Sequence, residues 1–122
     1  MSDVAQMPER QRLLTREQVQ AAFDVLTQPS SDVGAARAMV IRTKYKAEKV
    51  WARLFRTSPE KTVDARKAWA DEHDEYDAAM EAYAQAEGRW EELKDQKNKA
   101  ELVMEAWRTM SSNERSVMRA TR

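Results

Sequence analysis

The sequence predicts an all-α protein: a short N-terminal helix, then an antiparallel, coiled-coil-like helical hairpin with a long third helix. Three observations carry that expectation. With 34% charged residues, two glycines and three prolines in 122 residues, the composition favours long helices over sheet. Trp69, Tyr76, Tyr83 and Trp90 stand at seven-residue intervals, and Lys97 and Met104 continue the row. Three places after each lie Glu72, Ala79, Ala86, Leu93, Ala100 and Trp107, which completes a heptad pattern. Finally, two neighbouring segments carry opposite charge.

Taken in order, residues 1–14, with Pro8 among them, read as a flexible arm. Thr15 and Gln18 have the spacing of a capping box, in which each side chain satisfies a backbone N–H of the other's turn. Val19, Ala22, Phe23 and Leu26 then form one apolar stripe. Pro29 and its serines stop that helix.

Asp32 caps a second helix running to about Arg56. Val33, Ala36, Val40, Ala47, Val50 and Leu54 give it a three-four rhythm, widened by Ile41, Trp51 and Phe55. Ser58 is expected to cap the third helix, with Pro59 at its first position, where a missing N–H costs nothing. That helix is expected to reach about Met110, which closes a single helical domain over 15–110. The polar, basic tail 111–122 is expected to fray. Because Asp71, Glu72, His73 and Asp74 could supply an N-cap, an unbroken third helix and one kinked near residue 71 both fit. Lys97 and Asn98 interrupt the seam, as a register device or as its end.

Residues 33–56 carry seven cations against Glu48, and residues 71–92 carry nine carboxylates against Arg89. Opposite signs across a tight turn favour an antiparallel fold-back, although each exposed pair contributes only a few tenths of a kcal/mol. The expected core is Val40, Ala47, Val50, Trp51, Leu54, Trp69, Tyr76, Tyr83, Trp90, Leu93 and Trp107. A hairpin this small buries little, so self-association is expected, most simply as a symmetric dimer.

Several chemistries find no support. Cysteine is absent, which removes disulfides and thiolate metal sites. His73 is the only histidine; it has carboxylate neighbours but no second imidazole, so neither a metal nor a cofactor is expected. No nucleophile, glycine loop or apolar pocket accompanies the carboxylates, and the chain is not expected to be an enzyme. No leader or membrane-spanning run is visible, so a cytoplasmic protein without a membrane partner is expected.

The four heptad rings could in principle stack nucleobases. Their acidic surroundings would repel phosphates, so they read as a helix seam instead. The nucleic-acid candidates are the cations of the second helix, Arg37, Arg42, Lys44, Lys46, Lys49, Arg53 and Arg56, with Arg115, Arg119 and Arg122 of the tail. The competing reading is that the helical cations simply pair with the acidic helix.

Lys61, Thr62, Val63, Arg66 and Ala68, then Glu75, Tyr76 and Ala79, then Glu105, Trp107, Arg108 and Thr109 follow a K-(S/T)-V-x-x-R-(E/K)-A, E-Y-x-x-A, E-x-W-R-T order. In this the stretch 61–110 resembles small helical proteins of tailed bacteriophages, encoded near recombination and replication genes. The resemblance implies a setting in nucleic-acid metabolism rather than a mechanism. Those proteins often break with a Ser-Pro-like pair before E-Y, where this chain has Asp71 to Asp74. Two functions are therefore expected as alternatives. One is a non-enzymatic recombination or replication accessory that binds single-stranded DNA. The other is an adaptor or inhibitor that binds a phage or host protein by helix pairing and an acidic face.

Overall fold

A computed structural model describes residues 14–120, so the expected arm, Leu14 apart, and Arg122 lie outside the described residues. The fold is all-α: α1 (Arg16–Thr27), a single 3-10 turn (Pro29–Ser31), α2 (Val33–Thr57), α3 (Val63–Glu72) and α4 (Asp74–Ala120). The chain divides into two compact units, one of residues 32–93 and one combining the start of the chain with residues from Lys94 onward.

Local chemistry sets the helix starts. The Thr15 hydroxyl accepts from the Gln18 N–H at 3.1 Å, and the Gln18 side chain accepts from the Thr15 N–H at 2.7 Å, so the capping box forms as expected. Asp32 accepts from the Ala35 N–H at 3.1 Å. A Cβ on Gly34 would sit 3.2 Å from that carboxylate, so glycine there leaves the cap room.

The start of the third helix differs from expectation. Ser58 is the C-cap of α2, and Pro59 stays outside any helix. The N-cap of α3 is Thr62, whose hydroxyl accepts from the Ala65 N–H. Ser58 instead accepts from the Glu60 N–H, and the Arg66 guanidinium donates to the Glu60 carbonyl at 2.9 Å. Both bonds hold residues 58–62 as a turn, which outweighs proline's preference for a first helical position.

Of the two readings of the third helix, the broken one holds, with the break at His73. His73 has an extended backbone between α3 and α4. Its carbonyl accepts from Tyr76 and Asp77, while its Nδ1 accepts from the Glu75 N–H at 3.1 Å, so His73 caps α4. Asp74, Glu75 and Asp77 fill the first turn of α4, where negative charge meets the positive end of the helix dipole. Carboxylates there favour a new start over a continued helix. At the other end, α4 does not fray at Met110 but continues to Ala120. No glycine or proline lies beyond Gly88, and Ser111, Ser112 and Asn113 are only mild helix formers rather than breakers.

In the unit spanning 32–93, Arg37 near the start of α2 lies against Trp90, whereas Arg53 near its end binds Glu75 at the start of α4. The two helices therefore run antiparallel, as the charge pattern predicts. Trp51 Nε1 donates to the Asp71 carboxylate at 2.7 Å and ties α3 to the same helix.

The core is narrower than the sequence suggests. Val40, Ala47 and Leu54 are buried on α2, Ala70 on α3, and Ala79, Ala86, Leu93 and Ala100 on α4. Val50, Trp51, Trp69, Tyr76, Tyr83 and Trp90 are only half-buried, and Trp107 is 44% exposed. Both helices bury one residue per seven, mostly small, so alanine occupies the line of closest approach and the rings border it. Gly88 contributes nothing to this packing: among the described residues, no atom beyond its chain neighbours and the adjoining helix backbone would lie within 4 Å of a Cβ there. Its cost relative to alanine is about 1 kcal/mol in a helix interior.

Candidate functional site

The cations of α2 separate into two groups. At roughly 100° per residue, Arg42, Lys46, Lys49, Arg53 and Arg56 fall within an arc of about 80°, centred about 140° from the buried line of Val40, Ala47 and Leu54. All five are exposed. Lys46, Lys49, Arg53 and Arg56 border a shallow depression of about 440 Å³ floored by Val50 and Ala52. Lys49 also rests its ammonium 4.7 Å from the Tyr45 ring centroid, and Arg53 is tethered to Glu75. The Arg53 guanidinium, by its hydrogen bond and its charge, holds the Glu75 carboxyl below the ordinary range.

Arg37 and Lys44 do not belong to this stripe. The Arg37 guanidinium lies 4.6 Å from the Trp90 ring centroid. Lys44 borders a second cleft of about 440 Å³, on the side of the hairpin where Trp51, Tyr76 and Tyr83 converge. Hydrogen bonding to the neighbouring Glu87 carboxylate raises the Tyr83 phenol above its ordinary value. Arg115 and Arg119 are exposed on α4 in the other compact unit.

The rings do not form a stacking platform with one another. Trp69 packs on His73 with centroids 4.9 Å apart, Trp51 stacks on Phe55 at 5.5 Å, and Trp90 faces Arg37. The acidic residues, for their part, are not spent mainly on α2. Asp74, Asp77, Glu81, Glu91 and Glu92 lie within an arc of about 100° opposite the buried line of Ala79, Ala86 and Leu93. Ala84 and Gly88 occupy the middle of that outer face. The hairpin thus turns a positive back and a negative back outward, and Arg53 with Glu75 spans the gap between helices.

Seven cations spread round one helix cannot all face one partner, but which of them share a face is not evident when they are taken as a single set. The signal for the split was available: 42, 46, 49, 53 and 56 follow three-four spacing among themselves, and 37 and 44 are out of phase with them. Among the described residues, no group of three or more metal-binding side chains converges, and no helix is long and apolar enough to cross a membrane. Compared with known proteins, the chain matches no family, no curated protein and no solved structure.

Proposed function

We propose that this chain is a non-enzymatic accessory protein of DNA recombination or replication that holds single-stranded DNA by its phosphates along the outer face of α2. The observation that supports this is the one-sided row of Arg42, Lys46, Lys49, Arg53 and Arg56, exposed on the side of α2 away from its buried line, with Arg53 also reaching Glu75 of α4. Spaced over about 21 Å of helix at 1.5 Å per residue, such a row suits one backbone strand, and binding of this kind is indifferent to base sequence. The likeness of residues 61–110 to small phage proteins points the same way.

A titration of labelled single-stranded oligonucleotide at low salt tests it. Binding is expected for the natural chain and not for Arg42→Glu/Lys46→Glu/Lys49→Glu. Equal binding by both, or by neither, contradicts the reading.

The outward carboxylates of α4 favour a second reading, an adaptor that pairs with a basic helix of another protein. Under that reading, reversing Asp77 and Glu81 abolishes function while reversing the α2 cations does not.

A further inference from the structure

The two outer backs of the hairpin are complementary in charge and in helical phase. On α2 the cations 42, 46, 49, 53 and 56 occupy a three-four row; on α4, Asp74, Asp77, Glu81, Ala84, Gly88 and Glu91 occupy another. Gly88 is the independent clue. It sits exposed within a long helix, and among the described residues no atom beyond its chain neighbours and the adjoining helix backbone comes within 4 Å of the place of its Cβ. Intramolecular packing therefore does not require glycine there. With Ala84 one turn before it, it leaves a smooth strip on which a second helix can approach the backbone, flanked at both ends by carboxylates.

We infer that the occupant of this strip is the α2 helix of a second copy, its Arg42, Lys46 and Lys49 reaching the carboxylates that flank Ala84 and Gly88. The geometry fixes the type of contact. Because the positive and negative backs point away from each other, one copy cannot satisfy both faces of a single partner. The contact is heterologous rather than two-fold, and assembly grows by addition unless it closes into a ring. Exposed ion pairs hold it, so it is weak and sensitive to salt. Nucleic acid bound on α2 would compete with it; only this last clause rests on the function proposed above.

Sedimentation velocity of the full chain, freed of nucleic acid, tests the inference. The weight-average mass is expected to rise with concentration at an ionic strength of about 0.01 M and to fall to the monomer at about 1 M, where screening acts within a few ångströms. Arg42→Glu/Lys46→Glu/Lys49→Glu and Asp77→Lys/Glu81→Lys are each expected to be monomeric alone and to associate when mixed. Gly88→Leu is expected to weaken association several-fold while leaving the circular dichroism of the helices unchanged. A natural chain that stays monomeric at low salt overturns the inference. So does a mixture of the two reversed variants that fails to associate, or a Gly88→Leu chain that associates undiminished. Failure of the DNA reading is separable, because Asp77→Lys/Glu81→Lys leaves the α2 stripe intact and should bind oligonucleotide at least as well as the natural chain.

Discussion

The guanidinium of Arg37 lies over the indole of Trp90, 4.6 Å from its centroid, and joins the first turns of α2 to the middle of α4. A cation held on a ring face in a partly exposed site contributes about 0.5–1 kcal/mol. Arg37→Ala should therefore lower unfolding stability by about that amount, read by urea titration. Arg42→Ala, which removes an outward cation, should leave the urea midpoint unchanged and weaken oligonucleotide binding instead. The opposite assignment of effects would mean that the two groups of cations are wrongly separated.

Ala86 is buried on the line where α4 meets α2, and Ala84 is exposed on the outer face. Ala86→Leu should destabilise the fold by about 1–3 kcal/mol, because the extra methylenes must be fitted where α4 packs on α2. Ala84→Leu should be close to neutral for stability. Thermal melts of the two variants check this; equal melting temperatures would show that the helices do not approach most closely at the alanine line.

Leu54 is 2% exposed and is one of the few large side chains in the buried core. In a core built mostly of alanine its loss is poorly compensated, so Leu54→Ala should cost about 2–5 kcal/mol. Trp107, half outside, should tolerate Trp107→Ala with a much smaller change. A chemical-denaturation comparison of the two decides whether burial has been placed on the right residues.

His73 caps α4 through its Nδ1, which accepts from the Glu75 N–H. His73→Ala should cost roughly 0.5–2 kcal/mol, as loss of an N-cap does, and His73→Asn or His73→Asp should restore most of it. Failure of both replacements to restore stability would argue that the imidazole matters through its contact with Trp69 rather than as a cap.

The hydrogen bond and charge of Arg53 hold the Glu75 carboxyl below its ordinary value. A carboxylate lowered in the folded state adds stability above its unfolded value, and that contribution disappears as pH falls through the folded value. Melting temperature should consequently fall on acidification below the ordinary carboxylate range, and Glu75→Gln should flatten that part of the profile. An unchanged profile in Glu75→Gln would show that the Arg53 contact does not persist in solution.

How much of this was legible in the sequence follows from how local each feature is. The Thr15 box and the Asp32 cap depend on residues within one turn, and both were readable. The antiparallel pairing of α2 with α4 was readable because seven-residue spacing and charge sign are properties of the chain itself. The α3 start was not. Ser58 with Pro59 obeys the local rule for a helix start, but the Arg66 bond to the Glu60 carbonyl comes from six residues away and keeps that stretch a turn. Side-chain bulk also misled the core reading, because large aromatic rings at helical spacing usually bury the most area. It ranks Tyr76, Tyr83 and Trp90 above Ala79 and Ala86, yet the distance between helix backbones decides which half of a heptad is enclosed, and alanine permits the shorter distance. The Trp51 to Asp71 bond likewise joins residues that no periodicity pairs.

The salt dependence of single-stranded DNA binding, measured by fluorescence anisotropy, tests the central claim most directly. If four of the α2 cations contact phosphates, the slope of log K against log salt should be about −3, at about −0.7 per contact. Arg42→Ala/Lys46→Ala/Lys49→Ala should bring the slope to about −1 with helicity unchanged. A natural chain that fails to bind at low salt, or a triple variant with an unaltered slope, would contradict a phosphate-binding face on α2.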